Sequence, residues 1–356
     1  MIELYRSRHP EVQVAYTFFS PSAERFANGV HADFHDYLPF DSGHEMKRAL
    51  AALTPSAIVF SKLDVWPVLV ECAARRGVKL GMLSATMPAS SLRHSSLARI
   101  VLHDAYASLD VVGAVSDPDA LRLMEAGVQP ERITVTGDTR YDQAWMKAAS
   151  ETPERAALLR PLRIGRFTIV AGSTWPSDEA RLFPAWNELR RRHPNVRLII
   201  APHEISEKRL DSIQVWARES GFAAARIDDA SVPIADVVIV SRYGVLGDLY
   251  AIADIAYVGG GFRRAGLHSL LEPAAFGAPV IIGPKHEDNR DARLLVAAGG
   301  AFRCRDAASI SSCITRMLDS AGALSKARDA AHETVRAGLG AAERSFDLIE
   351  QLIALG

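Results

Sequence analysis

Ile255-Ala256-Tyr257-Val258-Gly259-Gly260-Gly261-Phe262 is an apolar run that ends in three glycines, and Gly266-Leu267-His268-Ser269-Leu270-Leu271-Glu272-Pro273 follows shortly after. The run reads as a short buried strand, because branched and aromatic residues bounded by glycine carry that signature. Arg263 and Arg264 make a basic loop, and the spacing then predicts a helix over Ser269–Phe276 that starts near His268. Strand, glycine turn and helix in succession form the unit of a parallel sheet covered by helices. Glycines let a ligand approach the backbone, and a helix start offers unbonded N–H groups to an anion. Ser269 and Glu272 would share one helix face, where Glu272 could accept hydrogen bonds from a ribose diol. The same pair also fits a capping box with no ligand; the two readings are compatible.

The alternation continues on both sides of this stretch. Strands are expected at Thr168–Ala171, Val196–Ala201, Val237–Val240 and Pro279–Gly283, and helices at Asp178–His193, Glu204–Ser220, Gly247–Ala253 and Asp288–Ala298. Gly172-Ser173-Thr174-Trp175 follows the first of these strands. Its amides and hydroxyls suit a phosphate or a sugar carboxylate, or they simply lead into a helix capped by Ser177 or Asp178. Ala201-Pro202-His203-Glu204 places His203 at a strand end, where it could meet a phosphate or base edge, although a lone histidine there is more often structural. Ser241–Tyr250, with Gly244, Leu246 and Gly247, is a glycine-containing loop opening a helix and is generic by itself. Four such turns at one edge of one sheet together point to a nucleotide-linked substrate, held beyond the carboxyl ends of the strands.

The first half has the same rhythm. Strands are expected at Val12–Phe18, Ala57–Phe60, Lys79–Ser84, Val111–Val115 and Ile133–Thr136, with helices at Ser22–Asn28, Gly43–Leu53, Pro67–Arg76, Ser90–Ala107 and Ala120–Ala126. Ser20, Ser84 and the pair Lys62 and Asp64 occupy strand ends; the Lys62–Trp66 segment equally fits an exposed loop with Trp66 plugging the core. Met1–Arg8 reads as an amphipathic helical turn, and the tail from Leu324 as helical. Ser150–Arg166, rich in Arg, Pro and Glu, is the expected linker, giving domains 1–150 and 151–356. Two domains suit a chain of 356 residues with 48% apolar and 23% charged residues.

A net charge of −1 gives no bulk attraction to nucleic acid. No apolar run reaches the ~18–20 residues of a membrane span, and the first residues lack a signal-peptide pattern, so a cytoplasmic location is expected. Cys72, Cys304 and Cys313 are odd in number and lack metal-ligand spacing. Neither a disulfide framework nor a zinc site is expected, and a reducing compartment fits.

Several segments resemble the 3-deoxy-D-manno-octulosonic acid (Kdo) transferases of lipopolysaccharide synthesis. They are Thr17–Ser22, Lys62–Trp66, Ser84-Ala85, Gly137–Asp142, Ala171–Pro176, Ile200–Glu204, Gly259–Pro273 and Gly277–Pro284. The resemblance covers nearly the whole chain. It implies an α/β fold of the glycosyltransferase-B type, with two Rossmann-like domains facing a central cleft. It further implies inverting, metal-independent transfer from CMP-Kdo to a lipid A precursor, with no cofactor, at the cytoplasmic face of the inner membrane. Carried over, Pro202 and His203 would stand near the cytidine monophosphate, and Gly244 and Leu246 would line the base pocket. Ser269 and Glu272 would hold ribose and phosphate, with Gly260 and His268 beside them. Ser173 and Thr174 would face the donor, while Ser20, Lys62 and Asp64 would face the acceptor.

Three departures from the family pattern stand out. Many members have Asn in place of Ser269, and many carry an arginine beside the histidine of Pro202-His203. Members also begin with a strand and a glycine-glutamate turn whose glutamate is the expected general base; Met1–Pro10 aligns with the helix after that turn. A start placed too far downstream is the expected reason, because loss of a central strand would expose sheet edges. Asp64 and Lys62 are weak candidates for a substitute catalytic group. The alternatives are another nucleotide-sugar transferase of the same fold, such as one using a UDP-hexosamine, and a non-catalytic CMP-sugar-binding remnant. Peripheral contact with anionic lipid through Lys47, Arg48, Arg75, Arg76, Lys79, Arg93 and His94 is a further expectation.

Overall fold

The computed structural model describes residues 1–27, 29–63, 65–87, 96–263 and 266–355. The chain divides into two units, Met1–Asp142 with Gly338–Gly356, and Gln143–Ala337. The division falls within the helix Thr139–Ala149, earlier than the expected linker. That segment is helical over Pro153–Leu159, with Thr152 as N-cap and Pro153 in the first turn. The buried Arg155 anchors it, reaching Asp248 at 2.9 Å and the Lys147 carbonyl at 2.7 Å. Arg, Pro and Glu here serve a capped, tethered helix, so composition alone misleads.

In the first unit, β1 (Ala15–Phe18) pairs in parallel with β2 (Phe34–Tyr37) as a separate ribbon. The other strands, β3 (Ala57–Ser61), β4 (Lys79–Ala85), β5 (Val111–Ala114) and β6 (Ile133–Val135), form a parallel sheet in that order. Strand β2 has no alternating apolar pattern and all four residues are exposed, which explains why its sequence gives no strand signal. The C-terminal helix Ala341–Ala354 joins this unit. Asp142 holds its start, accepting from Gly340 N at 2.7 Å and Ala342 N at 3.0 Å. Leu348 and Leu352 bury against Leu83 and Val111. The strands make room with glycine: a Cβ on Gly81 would stand 2.8 Å from Leu352 Cδ2.

The second unit holds one all-parallel sheet. Its strands are β7 (Thr168–Thr174), β8 (Arg197–Pro202), β9 (Ala224–Arg226), β10 (Val237–Ile239), β11 (Ile255–Val258), β12 (Val280–Ile282) and β13 (Ala301–Arg303). The order is β13-β12-β11-β7-β8-β10-β9. Alternate residues serve opposite faces: Ile169, Leu198, Ile200 and Tyr257 belong to one apolar core, and Val170, Ile199, Val238 and Ala256 to the other. A sheet buried on both faces requires continuous apolar strands, as these are. From β7 the chain winds outward through β8, then returns to lay β11 on the other side of β7. The order therefore reverses between β7 and β11, where open parallel sheets present a crevice at their carboxyl ends.

Candidate functional site at the strand ends of the second unit

At this reversal the two backbones touch. A Cβ on Gly259 would collide with the Ser173 carbonyl oxygen, and one on Gly261 would lie 2.5 Å from Gly283 N. Gly260 has φ +96°, a left-handed conformation that glycine adopts without steric cost. Among the described residues, three of the four non-glycine residues with positive φ are Lys62, Ser84 and Ser173, at φ +61°, +48° and +53°. All three stand at or just beyond the carboxyl ends of strands (β3, β4 and β7). Such conformations cost on the order of 1–3 kcal/mol each and gather at functional positions.

Asp178, fully buried, ties the turn together. Its carboxylate accepts from Trp175 N at 2.9 Å, Gly260 N at 3.0 Å and Tyr257 Oη at 3.2 Å. Burial and this carboxylate raise the Tyr257 phenol well above its ordinary value, so it stays protonated as a donor. Asp178 is the third helical residue of Pro176–Arg192, reaching back to Trp175, and not the cap. The Thr174 hydroxyl donates to Glu179 at 2.8 Å, with Arg209 on the same carboxylate. Thr174 is 1% exposed, which removes it from the ligand-facing set. Glu179 has its pKa raised by burial, a shift that Arg209 opposes.

Above this base three aromatic rings stack. Trp175 lies 4.3 Å from His203, and His203 lies 4.4 Å from His268, both nearly parallel. The Trp175 indole donates to His268 Nε2 at 3.2 Å, and the Arg263 guanidinium stands 3.6 Å over the Trp175 ring. Burial, then His203, lowers the His268 pKa. His203 is fixed by its backbone, whose N–H donates to the Thr174 carbonyl at 2.9 Å. Pro202, just before it, is buried in the last position of β8.

Beside the same strand end, a Cβ on Gly172 would meet Leu246 Cδ1 at 3.0 Å and collide with the Tyr250 hydroxyl. Leu246 opens the short helix Leu246–Leu249, and Gly244 before it has φ +88° and open space where a Cβ would stand. Glu272 pairs with Lys147 at 3.2 Å, both over a third exposed. Gly247 packs against the Lys147 ammonium and Glu272 Oε2. Ser269 is exposed, and the helix begins later than expected, at Leu271 with Leu270 as N-cap and no side-chain cap. The capping box is therefore not formed, because Ser269 lies ahead of the cap.

Ser173, His203, Gly260, His268, Leu246 and Glu272 thus come from segments far apart in sequence to one edge of one sheet. Sequence reading overlooked Lys147, the bonding of Asp178 to Tyr257 and Gly260, and the stacking role of Trp175, since each acts through a partner many residues away. In the first unit, Ser20 lies two residues beyond the end of β1 and Lys62 directly follows β3, in different sheets. Asp64 lies outside the described residues, as do Arg93 and Arg264. Lys47, Arg48, Arg75 and Arg76 are exposed. Arg76 reaches the Lys47 carbonyl, while Arg48 and Arg75 pair with acids of their own helices.

Comparison with known proteins gives this geometry a family. Residues 1–143 match the family described as 3-Deoxy-D-manno-octulosonic-acid transferase (kdotransferase). A 3-deoxy-D-manno-octulosonic acid transferase of Bordetella pertussis is 32% identical over 321 residues, covering 88% of this chain and 73% of that protein. The chain belongs to the Kdo transferase family. Proteins of the same name from Chlamydophila psittaci and Haemophilus influenzae are 30% and 24% identical, and the chain spans 64% and 82% of their lengths. In fold, a UDP-GlcNAc 2-epimerase from Neisseria meningitidis aligns over 100% of this chain and 95% of its own, with TM-score 0.71 and 12% identity. The fold is of the glycosyltransferase-B type, and the chain is a glycosyltransferase of this family. Among the described residues no helix is long and apolar enough to cross a membrane, and no cluster of side chains suits a metal ion.

Proposed function

We propose that this protein transfers Kdo from CMP-Kdo to a lipid A precursor, with inversion and without a metal ion, in lipopolysaccharide synthesis. The observation that carries the donor assignment is the Trp175–His203–His268 stack over a glycine turn at the sheet's order reversal. Such an edge suits a nucleoside monophosphate: backbone amides and Arg263 meet the phosphate, and ring faces exclude water from it. Leu246 and Gly244 leave space for the base, and Glu272 accepts from the ribose hydroxyls once Lys147 yields or shares it. In the transfer, the acceptor hydroxyl oxygen bonds to the anomeric carbon and the bond from that carbon to the phosphate oxygen breaks. CMP departs with the electron pair. The acceptor proton passes to a base in the first unit's acceptor site, where Ser20 and Lys62 belong in this reading. The lipid acceptor places the reaction at the membrane surface, on the cytoplasmic face where nucleotide sugars are found.

Calorimetric titration with CMP and with UDP, followed by an assay of Kdo transfer to a lipid A precursor, tests this. CMP binding that weakens at least about tenfold in Glu272→Gln or His203→Ala supports the donor site. Equal affinity for UDP, or CMP binding untouched by both substitutions, overturns it. Binding without transfer would leave a donor-binding protein and sink the transferase reading.

A further inference from the structure

Strand β13 closes one end of the second unit's sheet, pairing with β12 on its inner side. Its residues form one wall of a cavity of about 530 Å³, a volume in the range of small-molecule sites. None of the residues assembled at the donor edge lines it. Helix Arg290–Ala298 contributes Val296, and helix Ala307–Asp319 contributes Ser312 and Arg316. Much of the lining is apolar: Ala301 is buried, and Val296 and Phe302 are half-buried.

The rest of the lining is cationic. Arg303 and Arg316 both belong to it and both are exposed. The Arg316 guanidinium carbon stands 5.2 Å from the centre of the Phe302 ring, so one cation is held against the apolar wall. Ser312, four residues before Arg316 on the same helix, adds a hydroxyl on that face. Among the described residues neither guanidinium is paired with a carboxylate. Asp306, at the start of that helix, is engaged in its own cap, accepting from Ser309 N at 2.8 Å and Ser309 Oγ at 2.8 Å.

We propose that this cavity binds an amphiphilic anion, one carboxylate or phosphate monoester on an apolar body. The charge lies at Arg303 and Arg316, and the body lies against Val296, Ala301 and Phe302. Solvated guanidinia hold a bare anion weakly, and an uncharged apolar molecule gains nothing from them. A ligand carrying both parts gains from each, through charge-assisted hydrogen bonds and through apolar surface removed from water.

Calorimetric titration of the full chain with octanoate and with octyl phosphate tests this, beside acetate and octanol, which each carry half of the chemistry. At least one amphiphile should bind about tenfold or more tightly than acetate and octanol. The ratio between the two amphiphiles tells a carboxylate site from a phosphate site. Arg303→Gln and Arg316→Gln should each weaken the preferred anion at least about fivefold and leave octanol unmoved. Saturating CMP should not displace it. Binding of neither amphiphile, octanol bound as tightly as both, displacement by CMP, or affinity untouched in either variant overturns the proposal. The four-ligand comparison on the natural chain stands whether or not a variant folds.

Discussion

The Trp175 indole nitrogen donates to His268 Nε2 at 3.2 Å, so that ring nitrogen is an acceptor and the imidazole proton sits on Nδ1. Burial and the neighbouring His203 and Arg263 favour the same neutral form, lowering the pKa below 6.5. The folded protein therefore holds fewer protons here than the unfolded chain in mildly acid solution. The stabilisation is fully present above the unfolded value and is lost as pH falls through about 6.5 to the folded value and below. Imidazole NMR titration of His268 should give a midpoint below 6.5, and His268→Phe should flatten the acid side of the stability profile. A midpoint at or above 6.5 would show that the ring is not held neutral.

Asp178 carries three hydrogen bonds from two segments, and it is fully buried. Asp178→Asn keeps the shape but replaces one acceptor oxygen with a donor, which removes the acceptor either of Trp175 N and Gly260 N, which share one oxygen, or of Tyr257 Oη. A buried polar group so orphaned costs about 1–3 kcal/mol. Urea denaturation should show a loss of that size, together with weaker CMP binding because the glycine turn is no longer pinned. Unchanged stability would mean that the three contacts are not formed together.

The strands of the second unit could be read from sequence wherever both faces are apolar, as in Leu198–Ile200 and Val237–Ile239, because continuous burial leaves a compositional trace. Strands β2 and β9 left none: Phe34–Tyr37 is exposed throughout, and Ala224–Arg226 is an edge strand of three residues. At the site, the glycine turn and His203 announced themselves because they sit at strand ends. Lys147 did not, since its pairing with Glu272 spans 125 residues along the chain. Nor did the inward turn of Thr174, which depends on Glu179 and Arg209 finding each other in the core. Local pattern records which face is buried; it does not record which distant partner a polar group finds.

Lys147 and Glu272 form an ion pair with 35% and 38% of their side chains exposed. Water screens such a pair, so it contributes at most about 1 kcal/mol to stability. Lys147→Met should therefore leave thermal unfolding within that margin. If Glu272 accepts ribose hydroxyls, Glu272→Gln should instead weaken CMP by roughly ten- to a hundredfold, the loss of a charge-assisted hydrogen bond of about 1.5–3 kcal/mol. Stability and affinity changing in parallel would make Glu272 a structural residue.

Gly259 offers the sharpest test of the close backbone approach between β7 and the glycine turn. A methyl group there meets the Ser173 carbonyl and, at 2.9 Å, the Thr174 Cα, and both are backbone atoms with no rotamer to change. Relief requires parting of two paired strands, since Gly259 N donates to the Gly172 carbonyl at 2.9 Å. Overpacking of this kind costs about 1–3 kcal/mol, so Gly259→Ala should lower the urea midpoint measurably. It should also abolish CMP binding, because Ser173 and Gly260 would no longer share one edge. Gly244→Ala provides the comparison: its Cβ has open space, and only the φ of +88° resists it, at a cost of about 1 kcal/mol. If Gly259→Ala is no more disruptive than Gly244→Ala in both stability and binding, the two turns are not in contact and the donor site is built differently.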